Sequence, residues 1–245
     1  MRTGRSGARW IACWLLGAVL ASALAACGNT GEQRRAKSAV GLSTSLPLVW
    51  SESGDIRGHL AGQKPRHWAL TALQQRGDLV LLDTLADVKR LPSQGLLVLA
   101  QPRPLSPEEN VALDAWVRRG GRLLLFADPM LTTESDYAIG DPRRPEAIAM
   151  LSPILRHWGL ELEFDEDQPA GERETAVFGA PLPVNLPGQF RPRGDVPCVV
   201  EARPIAAECR IGKGRVIAIA DAAVFDGEDA GRTAAFQALL DRLAR

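Results

Sequence analysis

Continuous apolar runs alternate with segments of helical periodicity along most of the chain. The runs are four to eight residues long, which is typical of strands buried on both faces of a parallel sheet. Strands that alternate with helices predict an α/β sandwich with right-handed crossovers and a mostly parallel central sheet. The predicted strands are residues 46–50, 78–83, 95–101, 122–128, 175–178 and 214–221, and residues 160–164, where apolar and polar residues alternate, are predicted as an edge strand.

One predicted helix has a complete set of start and stop signals. Ser106 is a candidate N-cap, Pro107 occupies the first helical position, and Glu109 completes a capping box. Gly120 and Gly121 end this helix. Further helices are predicted over residues 66–75, before residue 159 and over residues 230–245.

The first 26 residues have the organisation of an export signal. Three arginines precede an apolar run over residues 10–24, which is too short to span a bilayer comfortably. The following Leu24-Ala-Ala-Cys27 resembles a bacterial lipoprotein lipobox, which implies cleavage before Cys27 and diacylation of its sulfur. The resemblance to lipoproteins of Gram-negative bacteria also implies that Gly28, which is not aspartate, favours the outer membrane over the inner membrane. The alternative is an ordinary signal peptide or an uncleaved anchor.

The segment after the lipobox is polar and has no apolar periodicity. We therefore expect residues 27–45 to be the lipidated cysteine and a flexible tether, and residues 46–245 to form a single α/β domain.

The charge balance excludes a general nucleic-acid binder. The chain has 29 basic and 29 acidic residues, and 46% of it is hydrophobic, enough for a proper core. Removal of residues 1–26 takes away three arginines and leaves 26 basic against 29 acidic groups, or −3. This net charge gives no reason to expect binding to anionic lipid headgroups.

Two of the four cysteines remain after the signal cysteine Cys13 and Cys27 are set aside. Cys198 and Cys209 lie on the two arms of a predicted β-hairpin that turns around Pro204. Cross-strand neighbours are close enough for a disulfide, and an oxidising envelope favours one. The alternative is a pair of reduced core cysteines.

Residues 96–160 carry a resemblance to a known family. They contain Leu96-Leu-Val-Leu-Ala, Leu105-Ser-Pro-Glu-Glu, Trp116-Val-Arg-Arg-Gly-Gly-Arg-Leu-Leu-Leu-Phe-Ala-Asp-Pro and Trp158-Gly-Leu. This stretch resembles the flavodoxin-like, class I glutamine-amidotransferase-like domain of the gliding-motility-type auxiliary proteins of ABC transporters. The resemblance implies that fold, a place in the cell envelope, and a transporter permease and ATPase as partners.

The sequence lacks the nucleophile of a true amidotransferase. Neither Gly-x-Cys-x-Gly nor Gly-x-Ser-x-Gly occurs, so no catalytic residue is predicted. His59, His67 and His157 have no metal-ligand spacing, and we expect them to lie away from the strand ends. No cofactor or metal is therefore predicted. The four tryptophans that follow residue 45 are expected to pack in the core.

Acidic residues at the predicted carboxyl ends of strands are the remaining candidates for a ligand crevice. They are Asp83, Asp128, Asp221 and Asp226. Ligands bind at this edge of open α/β sheets, and a carboxylate pair suits a cation or acid/base work. The alternative is that each aspartate caps a turn. Arg143 and Arg144 are a weaker candidate for binding an anion.

Three functions follow from these features. We expect first a lipid-anchored, non-catalytic auxiliary or binding subunit of an ABC-type transport system that faces the periplasm. The alternatives are a periplasmic solute-binding lipoprotein and a metal-assisted envelope hydrolase that uses Asp128 and Asp221.

Overall fold

The computed structural model describes residues 38–50, 52, 66–194 and 198–245. The predicted signal peptide, Cys27 and His59 lie outside these residues. The strands are β1 (Ala39–Thr44), β2 (Asp78–Leu81), β3 (Leu96–Ala100), β4 (Arg122–Phe126), β5 (Leu160–Glu163), β6 (Arg173–Val177), β7 (Ala180–Val184), β8 (Gln189–Pro192), β9 (Cys198–Val200), β10 (Ala206–Ile211) and β11 (Gly214–Ile219). The helices are α1 (Trp68–Gln74), α2 (Pro107–Arg118), α3 (Ser152–His157) and α4 (Ala230–Ala244), with 3-10 turns at Leu85–Arg90 and Ala223–Phe225.

A seven-stranded sheet in the order β2-β1-β3-β4-β11-β10-β9 organises the domain. Its first five strands are parallel, whereas β10 and β9 are antiparallel to their neighbours. Two short antiparallel pairs, β5–β8 and β6–β7, lie outside this sheet. The predicted α/β class, with a mostly parallel sheet and a C-terminal hairpin, is confirmed.

Both faces of the sheet are covered, which explains the continuous apolar runs. One core contains residues from α1 and α4, and the other contains residues from α2 and α3. All five residues of β3 are buried, because successive side chains point to opposite cores.

The predicted tether ends too late and the predicted first strand is wrong. Residues 39–44, assigned above to the tether, form β1 in the interior of the sheet, between β2 and β3. Val40 and Leu42 are buried, and Gly41 lies so close to the Leu91 side chain that a Cβ would clash. Because β1 contains few apolar residues, its sequence has no continuous apolar run that would predict a strand. Residues 46–50 make no strand, and instead Leu46 and Leu48 fill the core.

The capping box of α2 is present in full. The Ser106 hydroxyl accepts the Glu109 N–H at 3.2 Å, and the Glu109 carboxylate accepts the Ser106 N–H at 2.8 Å. Glu109 also accepts hydrogen bonds from the Thr84 hydroxyl and the Leu85 N–H. The cap therefore joins α2 to the preceding 3-10 turn.

The predicted disulfide is also present. Cys198 on β9 faces Cys209 on β10, and the two sulfurs are bonded. Within the part of the chain that the structure describes, none of the helices has the length and apolarity to cross a bilayer.

Candidate functional site

Two of the predicted crevice residues lie side by side at the carboxyl edge of the sheet, where the parallel strands end. Strands β4 and β11 are paired with Phe126 opposite Ile219, and an aspartate follows each of these residues by two positions. Asp128 and Asp221 are 1% and 2% exposed, so the pair is buried. Asp83 follows β2, with β1 and β3 between it and β4, and it is exposed.

Asp128 uses its carboxylate to fix two loops. Oδ1 accepts the N–H of Met130 at 2.8 Å, which closes the turn after β4. Oδ2 accepts the N–H of Ala222 at 3.1 Å, which ties this turn to the exit of β11. The capping alternative of the sequence analysis therefore describes this residue.

Asp221 has an equivalent pair of contacts. Oδ1 accepts the N–H of Ala223 at 2.7 Å, and Oδ2 accepts the N–H of Asn185 at 2.9 Å in the loop after β7. Asp226 is half-buried and accepts a short hydrogen bond from the Thr133 hydroxyl. The three carboxylates together connect the loops that follow β4, β7 and β11.

Burial controls the protonation of this cluster. Burial raises the pKa of Asp128 to about 7, against the two backbone hydrogen bonds, and the charge of Asp226 raises it further. Burial also raises the pKa of Asp221 well above its ordinary value, and the charge of Asp128 adds to this effect. The pKa of Asp226 is raised by burial, while Thr133 and the charge of Arg232 oppose the shift. None of the three carboxylates has an ion-pair partner among the described residues.

Gln101 belongs to this network, and the sequence analysis missed it. Its side chain accepts the N–H of Asp128 at 2.8 Å and donates to the carbonyls of Asp128 and Glu146, both at 2.9 Å. Its own carbonyl accepts the N–H and the hydroxyl of Ser45. Gln101 is fully buried with φ at 46°, a conformation rare outside glycine. A glutamine directly after a continuous apolar run was the available signal.

A cavity of about 740 Å³ opens at the same edge, and its lining corrects two predictions. It is lined by Trp50, His67, Phe225, Glu134, Asp136 and Glu228, among other residues. Trp50 is 40% exposed there and does not pack in the core. His67 lies at the strand ends, where its Nε2 is 3.2 Å from the Phe225 carbonyl and its Nδ1 caps α1. Burial lowers the pKa of His67.

The other candidate residues serve local structure. Arg143 forms a bidentate pair with Asp141, and Arg144 donates to the Tyr137 carbonyl, so the loop itself occupies both guanidinium groups. Trp68, Trp116 and Trp158 are buried as predicted. Among the described residues, no group of three or more His, Cys, Asp or Glu side chains is arranged to hold a metal ion.

These features define the class of protein: an α/β domain whose strand-end carboxylates join its loops. A family described as "ABC-type uncharacterized transport system" matches residues 40–168, more than half of the chain. The chain belongs to this family, ABC_transp_aux. The suspected auxiliary family is thereby confirmed. No curated protein matches the sequence.

Several solved structures are similar to this chain at low sequence identity. An exo-β-1,4-mannosidase from Opitutaceae bacterium strain TAV5 is 18% identical, with a TM-score of 0.46 over 86% of this chain and 35% of its own. A β-galactosidase from Bacillus circulans sp. alkalophilus is 13% identical, with a TM-score of 0.47 over 85% of this chain and 31% of its own. A cytoplasmic protein from Salmonella typhimurium is 11% identical, with a TM-score of 0.46 over 83% of this chain and 98% of its own. The chain thus spans about a third of the mannosidase and of the galactosidase, and these similarities carry no argument about activity.

Proposed function

We propose that the protein is a lipid-anchored, non-catalytic subunit of its ABC-type transport system, held at the periplasmic side of the envelope through Cys27. The observation that carries the non-catalytic part is the use of Asp128 and Asp221. Each carboxylate oxygen of the pair accepts a backbone N–H, so the two side chains hold loops together and present no oxygen to solvent. The lipobox and the family membership support the anchor and the partner class.

The partner is tested by crosslinking the full-length protein in its native membranes, followed by affinity capture and mass spectrometry. We expect a permease and an ATPase of one transporter among the crosslinked proteins. Their absence from the captured material, with the protein itself crosslinked to others, would contradict an auxiliary role in transport.

The anchor is tested with Cys27→Ala in the full-length chain. We expect loss of palmitate incorporation and either release from the membrane or accumulation of the unprocessed precursor. Ala26→Ser, which keeps a small residue before the cysteine, serves as the matched control. Density fractionation of the two membranes tests the outer-membrane assignment drawn from Gly28.

The carboxyl-edge cavity favours a second candidate function, a periplasmic solute-binding lipoprotein. Exposed Trp50 and the half-buried His67 give the cavity an accessible indole ring and an imidazole ring that a small molecule can contact. Residues 51 and 53–65, which follow Trp50 in the sequence, lie outside the described residues. A change in tryptophan fluorescence with a transport substrate, lost in Trp50→Phe, would favour this candidate over the auxiliary role.

A further inference from the structure

Basic side chains are concentrated at the amino edge of the sheet, where the parallel strands begin. They surround the end of α2 and the turn between β10 and β11. Those that carry the argument are Arg118, Arg119, Arg122, Arg210, Lys213 and Arg215. We call this group the amino-edge basic surface.

Two elements meet at this edge of the sheet. The Lys213 N–H donates to the Arg118 carbonyl at 3.0 Å, so the β10–β11 turn contacts the end of α2. Across the sheet, Arg210 pairs in register with Arg215, and Arg215 pairs with Arg122. Registered residues of neighbouring strands share a face, so three arginines form one row across β10, β11 and β4.

Most of these cations have no acidic partner. Arg215 donates to Glu208 at 2.6 Å, and Arg118 donates to Asp114 at 2.7 Å. Arg119, Arg122, Arg210 and Lys213 form no ion pair with any described residue. Three of the four are exposed, and only Arg122 is half-buried. The surface therefore has excess positive charge available to a partner.

Two loops at the opposite edge of the sheet have an excess of acidic residues. The loops over residues 127–151 and 220–229 contain nine acidic residues, of which Asp128 and Asp221 are buried, and two arginines. A net charge near zero thus conceals a separation of charge along the strand direction. Such a domain is oriented by a charged surface, with the amino edge turned toward negative charge.

The chain enters the domain at this same basic edge. Ser38 precedes β1, and its carbonyl accepts the N–H of Asp78 at the start of β2. Ten residues separate Cys27 from Ser38, and they reach at most about 36 Å when fully extended. An anchor at Cys27 therefore keeps the amino edge within reach of the bilayer that holds it.

We propose that the amino-edge basic surface docks on the anionic phosphate headgroups of the bilayer to which the chain is anchored. This inference rests on the proposed anchor at Cys27. Each Lys or Arg close to an anionic surface strengthens binding about fivefold. Docking directs the acidic loops and the carboxyl-edge cavity away from the membrane.

The test uses acetylation of Lys213 as the readout. Full-length lipidated protein is placed in nanodiscs of phosphatidylcholine alone, or with one third phosphatidylglycerol. The rate of Lys213 acetylation by a neutral reagent is then followed by mass spectrometry. We expect labelling in anionic discs to be at least tenfold slower, because the bilayer covers Lys213. Salt at 0.5 M is expected to restore the fast rate, since the headgroup interaction is screened.

A pair of matched double variants separates a local surface from total charge. Arg119→Gln with Arg210→Gln weakens docking about 25-fold by the same rule and is expected to restore fast labelling in anionic discs. Arg66→Gln with Arg203→Gln removes the same charge from exposed residues beyond the other ends of the strands and is expected to leave labelling slow.

Each outcome of the test decides a separate question. Equal rates in both kinds of disc, or equal effects of the two double variants, would overturn the proposal. Protection by 10 mM inorganic phosphate in phosphatidylcholine discs would also overturn it, because it would identify a site for free phosphate. Failure of the anchor is detected independently, since the protein would then elute apart from the discs on size exclusion.

Discussion

Replacement of Asp128 by asparagine is expected to stabilise the protein at alkaline pH and to reduce the fall of its stability as pH rises toward neutrality. Asp128 is 1% exposed, and it forms no ion pair with any residue that the structure describes. Its pKa is about 7 in the folded protein against an ordinary value of 3.8. The folded state therefore binds a proton that the unfolded chain releases, so stability falls as pH rises through this range.

The size of the effect follows from the two pKa values. Each pKa unit corresponds to 1.36 kcal/mol, so ionisation of Asp128 costs the folded state about 4 kcal/mol by pH 8. This stability is fully present below pH 3.8 and is lost between that pH and about pH 7. Asparagine keeps one oxygen acceptor, but its amide nitrogen only donates, so Asp128→Asn loses one of the two backbone hydrogen bonds that the carboxyl group accepts. We therefore expect Asp128→Asn to be about 2 kcal/mol less stable than wild type at pH 4 and to become the more stable of the two as the pH rises to 8.

The assay is urea unfolding followed by tryptophan fluorescence at intervals from pH 4 to pH 8.5. Asp83→Asn makes the same chemical change at an exposed carboxylate and is expected to stay within about 0.5 kcal/mol of wild type. An Asp128→Asn curve that runs parallel to the wild-type curve, or below it at pH 8, would refute the assigned role of burial.

Three further changes test the contacts that hold the fold. Reduction of the Cys198–Cys209 disulfide is expected to lower the free energy of unfolding by about 3 kcal/mol. Urea titrations with and without dithiothreitol measure this difference, and no change would mean that the bond does not constrain the unfolded chain. Gln101→Leu leaves the backbone groups that bind the glutamine amide without a hydrogen-bond partner and should lower the free energy of unfolding by about 3 kcal/mol. A loss below about 1 kcal/mol would show that water replaces the amide. Ser106→Ala removes one half of the α2 capping box and should cost about 1 kcal/mol, with Ser106→Thr retaining most of the stability.

The elements that sequence could predict are those with a local cause. The α2 cap depends on residues within four positions of each other, and the buried strands β3, β4 and β11 show their environment in uninterrupted apolar runs. Strand β1 has no such pattern, since its place between β2 and β3 depends on distant residues such as Leu91 that fill the space above Gly41.

The candidate site shows the same division. Asp128 and Asp221 could be predicted because each ends an apolar run on a strand expected near the other. The role of Gln101 could not, because its partners at Asp128 and Glu146 are far along the chain. The position of His67 also could not be predicted. The sequence places it next to a helix, and its location at the strand ends depends on its contact with the carbonyl of Phe225, which is far along the chain.

The short outer strand β9 has a consequence for how the protein has to be produced. It covers the edge of β10 with only three residues, and a covalent bond to Cys209 holds it there. In a reducing cytosol this bond does not form, and release of β9 would leave β10, a strand of six residues, as the edge of the sheet. An open edge of that length is a template for aggregation. Recombinant expression should therefore direct the chain to an oxidising compartment, where disulfide formation protects the sheet from self-association.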